Sequence, residues 1–291
     1  MKTLILAHNY QRAEIQDRAD YVGDSLKLCQ IARKADCEDI IFCGVDFMAE
    51  TAAILNPDRR VFVPDPLAHC PMAHRVTAED IIQSKSEYPD AAVVCYINST
   101  AAVKAVSDTI CTSANATEIV NSLTENQVIF TPDRNLGSYV TRFTEKEIII
   151  VPEKGNCATH NQLTAKDILS VKSEHPAARI AVHPECRPEV VDVADYVGGT
   201  EGILNYVKDS DAQEFIIGTE NGMLYRIQRE CPNKKVYYAS TYMICPDMKM
   251  NTLDKLERVL KEKPEQNLVK VDAITSKKAK KAIDRMFELM G

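Results

Sequence analysis

The sequence predicts an α/β fold of three pseudo-symmetric αβα domains, each with a small parallel sheet, packed around a central site. Three observations carry this expectation. Ala-Asp-Tyr-Val-Gly at 19–23 recurs at 194–198, a displacement of 175 residues. The stretch 77–89 recurs at 164–176, a displacement of 87, with a weaker third copy at 252–264. Within each unit, short β-branched runs alternate with amphipathic stretches, the pattern of parallel α/β layers. Self-similarity at one fixed period marks a repeated structural unit, and here the unit is about 87 residues long.

The elements follow in order. Strand-like runs in the first unit are 3–7, 39–43 and 60–63. Ser25 is the expected N-cap of a helix carrying Leu28, Ile31, Ala32 and Ala35 on one face, and Thr200 does the same for Ile203, Leu204 and Val207. On this grid the domains span 1–90, 91–177 and 178–265. The remainder, 266–291, adds a strand at 267–271 that restarts the repeat, then a closing helix from about Ser276. No linker rich in Gly, Pro or Ser interrupts the chain, so the units are expected to pack tightly. Asp46, Asp133 and Glu220 each follow a strand-like run at 87-residue steps.

Composition bounds the function. The 291 residues include 35 Lys and Arg against 42 Asp and Glu, a net charge of −7, with 45% hydrophobic and 26% charged residues. That is an ordinary globular mix, able to bury a core without staples. The acidic balance argues against a nucleic-acid partner, which would need clustered Lys and Arg to release counterions, and only 277–281 is locally basic. No apolar run approaches the ~20 residues that span a bilayer, and the apolar stretch after Lys2 stops at His8, too short for a secretory signal. A cytoplasmic protein with no membrane partner is expected. In a reducing compartment, ten cysteines read as buried thiols plus a metal or cluster site.

The repeat singles out three of those cysteines. Cys70, Cys157 and Cys245 lie 87 and 88 residues apart, each in the equivalent loop after a strand and before a helix. Pseudo-symmetric units would aim three thiolates at one axis, a donor set that selects zinc or an iron-sulfur cluster. A cubane usually takes four cysteines, so three would leave one iron open as a Lewis acid. His160 follows Cys157 by three residues and His69 and His74 flank Cys70, which makes each a candidate fourth ligand. No CxxC occurs, which weakens a zinc ribbon or a dithiol redox pair.

The same phase collects polar residues at the ends of the first strand of each unit: His8 and Tyr10, Tyr96 and Asn98, His183 and Glu185. Ligands of open parallel sheets bind beyond the carboxyl ends of the strands, where these six would sit. Ser25, Ser113 and Thr200 stand 88 and 87 residues apart at expected helix starts, where N–H groups and a hydroxyl suit a phosphate or carboxylate. Neither a Walker loop nor GxGxxG is present, so a nucleotide is not indicated.

These residues resemble the quinolinate synthase (NadA) family across essentially the whole chain. The carrying segments are Leu-Ala-His-Asn-Tyr-Gln at 6–11, Ala-Asp-Tyr-Val-Gly-Asp-Ser at 19–25 and Cys-Gly-Val-Asp-Phe-Met-Ala-Glu-Thr at 43–51. To these add Cys-Pro-Met-Ala at 70–73, Tyr-Ile-Asn at 96–98, Cys-Thr-Ser-Ala-Asn at 111–115, His-Pro-Glu-Cys at 183–186 and Cys-Pro-Asp-Met at 245–248. The resemblance implies three αβα domains around a [4Fe-4S] cluster held by Cys70, Cys157 and Cys245. It implies condensation of iminoaspartate with dihydroxyacetone phosphate to quinolinate, releasing phosphate and two waters, in de novo NAD biosynthesis. Matched position by position, Glu185, Tyr10, His8 and His183 fall on catalytic positions, and Ser25, Tyr96, Asn98, Ser113 and Thr200 on substrate-binding ones. An oxidase or dehydrogenase of aspartate is the implied supplier of the imine. Gly199 departs from the family, standing where a Ser-Thr pair is common and leaving Thr200 alone to offer a hydroxyl. Two other readings stay open: a zinc-dependent hydrolase on the same three thiolates, and a non-catalytic phosphometabolite-binding protein.

Overall fold

The computed structural model describes residues 2–291. Among these residues twelve strands form three four-stranded sheets, parallel throughout. The first sheet holds β1 (Thr3–His8), β2 (Tyr21–Gly23), β3 (Asp39–Cys43) and β4 (Arg60–Phe62), in the order β2-β1-β3-β4. The second holds β5 (Ala92–Tyr96), β6 (Thr109–Cys111), β7 (Gln127–Thr131) and β8 (Glu147–Ile150), ordered β6-β5-β7-β8. The third holds β9 (Arg179–Val182), β10 (Tyr196–Val197), β11 (Glu214–Gly218) and β12 (Lys235–Tyr238), ordered β10-β9-β11-β12. Each sheet therefore repeats one topology, with helices between successive strands, as the repeat predicts.

Parallel strands need both faces covered, and β3 and β5 are buried along their whole length: β5 is an unbroken apolar run, and in β3 the one charged residue, Asp39, is paired with Arg60 and Lys263. Repeated sequence gives repeated contacts. Asp20, Asp108 and Asp195 each accept from the backbone N–H of a first strand, at Ile5 (2.7 Å), Val93 (2.8 Å) and Ile180 (2.8 Å). The matched stretches at 77 and 164 become the helices Ala78–Glu87 and Ala165–Glu174, each opened by a Thr-Asp capping box. The third copy, Leu253–Glu262, has Thr252 at its cap position but no side-chain cap bond, matching its weaker sequence.

Packing ties the units together. One apolar cluster joins Leu4, Leu6 and Phe42 of the first sheet to Ile203, Leu204 and Phe215 of the third unit. Another joins the second sheet to Ala279, Ala282, Ile283 and Met286 of the C-terminal helix, Ala273–Leu289. No helix among the described residues is long and apolar enough to cross a membrane.

Four local expectations need correction. Ser113 does not open a helix: it lies in the turn before Ala116–Ser122, whose cap position is Asn115. Ser25 and Thr200 are not N-caps but the first residues of their helices, Ser25–Lys34 and Thr200–Asp209. Asp24, one residue earlier, takes the cap by accepting from the Lys27 N–H at 2.7 Å, and Gly199 holds the position in the third unit. Segment 267–271 is no strand: it makes a single antiparallel bridge, Leu268 to Phe62, running against the β4 edge instead of extending the repeat. Asn267 fixes this course by donating to the Val63 and Pro64 carbonyls at 2.8 and 3.0 Å. The closing helix begins at Ala273, before Ser276, because the Asp272 side chain caps it.

Candidate active site

Every sheet presents polar side chains at the carboxyl ends of its four strands, and after the second, third and fourth strands the residue type repeats in all three sheets. After the first strand come His8 and Tyr10, Tyr96 and Asn98, or His183 and Glu185. After the second comes a hydroxyl, at Ser25, Ser113 or Thr200; after the third a carboxylate, at Asp46, Asp133 or Glu220; after the fourth a thiol, at Cys70, Cys157 or Cys245. The chain order reverses between β1 and β3 and their counterparts, which opens a crevice at that end of each sheet. The three ends face one another. All twelve of the expected site residues line one cavity: His8, Tyr10, Ser25, Cys70, Tyr96, Asn98, Ser113, Cys157, His183, Glu185, Thr200 and Cys245.

Glu185 is the hub. Its Oε1 accepts from the Tyr96 hydroxyl at 2.6 Å and from Asn98 Nδ2 at 3.3 Å, and its Oε2 lies 2.7 Å from His160 Nδ1. His160 Nε2 is 2.9 Å from the Thr219 hydroxyl, which is 2.7 Å from the Tyr10 hydroxyl. One consistent set of protons runs through the chain: Tyr10 donates to Thr219, Thr219 to His160 Nε2, and His160 Nδ1–H to Glu185. Five buried side chains from all three units thus form one hydrogen-bonded path.

His8 and His183 repeat each other. Each Nδ1 accepts a backbone N–H two residues on, from Tyr10 at 3.2 Å and from Glu185 at 3.3 Å. The proton of each neutral ring therefore sits on Nε2. Burial, the main cause, lowers both imidazoles to a pKa of about 3, so both are neutral at pH 7. His183 Nδ1 at 3.7 Å from Glu185 Oε2 is accordingly not an ion pair. Burial alone would raise the Glu185 carboxyl, but the hydrogen bonds from His160 and the Tyr96 hydroxyl favour its ionised form, and the group is held below the usual carboxylate range. Burial, reinforced by Glu185, pushes the Tyr10 and Tyr96 phenols up, so both stay protonated.

These shifts make stability depend on pH. The unfolded chain binds protons on His8 and His183 near pH 6.5 and the folded one only near 3, so stability is complete above 6.5 and falls as pH drops through that window. At pH 5 the loss is about 2 kcal/mol per imidazole. Anaerobic urea unfolding at pH 7 and pH 5 checks this: His8→Gln and His183→Gln should each flatten the difference. An unchanged difference in both would contradict it.

The thiols have a matching support. The Cys70, Cys157 and Cys245 backbone N–H groups each donate, at 3.1 Å, to the carboxylate of their own unit, at Asp46, Asp133 and Glu220. The same carboxylates accept from helix-start N–H groups, at Phe47 (2.9 Å), Leu136 (2.8 Å) and Gly222 (2.7 Å). Each one pins a cysteine loop to the start of the helix after its third strand. Burial raises all three thiols, Cys245 to about 11, and Cys70 and Cys157 are raised further by neighbouring site thiols. Three such groups become thiolates together only with a cation among them, which is the chemistry of a soft metal or cluster site.

Two glycines sit at close approaches, and the one at 222, against backbone, admits no side chain. A Cβ on Gly222 would stand 2.8 Å from the Tyr10 carbonyl carbon and oxygen, and one on Gly199 would stand 2.8 Å from Ser113 Oγ. The departure at 199 is thus a contact between the second and third units. Nearby, the Thr200 hydroxyl accepts from Asn9 Nδ2 at 2.6 Å, and Arg226 contacts both Asn9 and Glu201.

Of the candidate fourth ligands, only His160 reaches the cavity, with Nδ1 at 3.2 Å from Cys157 Sγ as well as beside Glu185. His69 and His74 turn to Asp46 on the surface. Thr219 and Asn9 were not singled out from sequence: each works through a partner about 59 to 210 residues distant, and a lone Thr or Asn carries no spacing signal.

Residues 1–288 match the family described as Quinolinate synthetase A protein. The chain belongs to the quinolinate synthetase A family. A relative named quinolinate synthase from Methanoregula boonei is 51% identical over 286 residues, 98% of this chain and 93% of that protein. Relatives of the same name from Thermodesulfovibrio yellowstonii and Methanopyrus kandleri are 48% and 46% identical, covering 99% of this chain and 94% and 99% of theirs. Membership of the quinolinate synthetase A family makes the chain an enzyme and makes the shared cavity its candidate active site.

Proposed function

We propose that the chain condenses iminoaspartate with dihydroxyacetone phosphate to quinolinate, releasing phosphate and two waters, as the quinolinate-forming step of NAD biosynthesis. The observation that carries this reading is the convergence of three loop thiols, one from each sheet, on the cavity that holds the Glu185 network. Cys70, Cys157 and Cys245 would hold a [4Fe-4S] cluster, their loops set by Asp46, Asp133 and Glu220. When bound, such a cluster supplies an iron without a protein ligand, a Lewis acid for a substrate carboxylate or hydroxyl.

The chain's own residues divide the remaining work. Glu185 is an ionised acceptor held in place by Tyr96, Asn98 and His160, suited to take protons during isomerisation and dehydration. Tyr10 stays protonated and donates, with Thr219 and His160 linking it to Glu185. His8 and His183 each offer a free Nε2–H to a developing enol or a leaving hydroxyl. Thr200 accepts from Asn9, which leaves its own proton for an anion, and Ser25 and Ser113 add two more hydroxyls. With helix starts at Ser25 and Thr200, these groups would hold the substrate phosphate or carboxylate. The imine hydrolyses in water, so coupling to an aspartate oxidase or dehydrogenase follows from its chemistry.

Anaerobic purification with iron and sulfide counting, followed by turnover with both substrates, tests the proposal. A brown, iron-rich protein that forms quinolinate supports it. A colourless zinc protein would favour a three-thiolate hydrolase instead, and cluster-loaded protein without turnover would remove the condensation.

Gly199 gives a narrower prediction. Gly199→Ala should turn the Ser113 hydroxyl aside, with stability within about 1 kcal/mol of the parent because only a side-chain tip must move. The KM for dihydroxyacetone phosphate is expected to rise severalfold, and adding Ser113→Ala should raise it no further. Fully additive effects would show that Gly199 does not act through Ser113.

A further inference from the structure

We propose that Asp46, His69 and His74 form a surface site for a first-row divalent cation of the zinc class, separate from the thiol site. His69 Nδ1 lies 2.9 Å from Asp46 Oδ2, and His74 Nε2 contacts that same oxygen. One ligand atom from each residue falls within 4.8 Å of the other two. The rings meet edge to face with centroids 5.6 Å apart, so neither blocks the other's nitrogen. Both imidazoles are about half exposed, at 52% and 49%, which leaves an entry path and open positions for water.

The carboxylate is already oriented for this task. Its Oδ1 accepts from the Phe47 and Cys70 N–H groups, which leaves Oδ2 turned to the two rings. Ligating carboxylates are commonly fixed in this way by outer hydrogen bonds.

Comparison among the three units argues against simple charge pairing. In the third unit Lys249, the counterpart of His74, is the side chain paired with Glu220, at 2.9 Å, and the counterpart of His69 is Ile244. In the second unit the counterparts are Asn156 and Asn161, and Asp133 is served by backbone N–H groups. Only the first unit places two imidazoles on one carboxylate oxygen. Two ring nitrogens and one carboxylate oxygen with open positions suit Zn2+, Co2+, Ni2+ or Fe2+, not the all-oxygen preference of Mg2+ or Ca2+. Binding needs only that each ring keep its proton on the nitrogen facing away from the metal. A cation there would clamp the loop 69–74 to the start of the helix Asp46–Leu55.

The test uses the full chain, anaerobic and with its thiol site loaded, dialysed against Co2+ and then against Zn2+. One equivalent of cobalt beyond the cluster metal, with a ligand-field spectrum free of thiolate charge transfer and displaced by zinc, is expected. His74→Ala and His69→Gln should each weaken binding by roughly tenfold or more while iron and sulfide stay at the parent level. Unchanged cobalt affinity in both variants, or no stoichiometric uptake by the parent, would overturn the site. Iron content is read in the same samples, so failure of the cluster reading shows separately.

Discussion

Cys157→Ala is expected to abolish quinolinate formation and to strip the protein of most of its iron. The three thiols come from the fourth-strand loops of three sheets, and no other cysteine lines the cavity. Removing one would leave two donors for the proposed cluster, which would already lack a fourth. Cys186→Ala is the control, since Cys186 is buried, has its thiol against the Gly218 carbonyl at 3.4 Å, and lies off the cavity lining. That variant should keep its iron even if it loses some stability to the small void. Asp133→Asn should fall between the two, because an amide can keep only part of the pair of contacts to Leu136 and Cys157. Loss of a group that orients a metal's ligand typically costs roughly 10 to 100-fold in metal affinity, so about that loss is expected. Iron and sulfide analysis of the three proteins decides the matter, and parent-level iron in Cys157→Ala would end the cluster assignment.

What the sequence discloses follows from its symmetry. Strand ends recur at fixed intervals, so residues acting at equivalent ends, such as His8, Tyr96 and His183, align by counting alone. The sheets were legible for the same reason, because each unit repeats one order of strands. Contacts that cross between units break the repeat and leave no such trace. Thr219 matters because Tyr10 and His160, from two other units, both reach it; neither partner is encoded near it. His160 looked like a metal ligand from its distance to Cys157, whereas its Nδ1 also faces a carboxylate 25 residues further on. Helix caps failed for a local reason: Asp24 and Ser25 are both good capping residues, and position decides between them only once the backbone is placed. The 267–271 segment has strand-like residues, but the β4 edge it meets runs the other way, so it bridges once and leaves.

Glu185→Gln is expected to lower kcat by roughly 10² to 10⁴-fold, about 3 to 5 kcal/mol of barrier, while iron content and the KM values stay near the parent. Glutamine keeps the shape and can still accept the Tyr96 proton, so the cavity should hold. What it cannot do is accept a substrate proton. It also places an amide donor against His160 Nδ1–H, now 2.7 Å from a carboxylate oxygen, which forces that ring to exchange its proton to Nε2 and reverses the path through Thr219 to Tyr10. Two effects then separate by experiment. Tyr10→Phe removes the far end of the path and leaves the carboxylate, so it should cost less than Glu185→Gln if the carboxylate is the base. Equal losses in both, with the double variant no worse than either, would mean that the path acts as one unit. A Glu185→Gln enzyme retaining more than about a tenth of parental kcat, with its iron intact, would fall short of general-base magnitudes and move that role to His160, the other group whose ring nitrogens sit between Glu185 and Thr219.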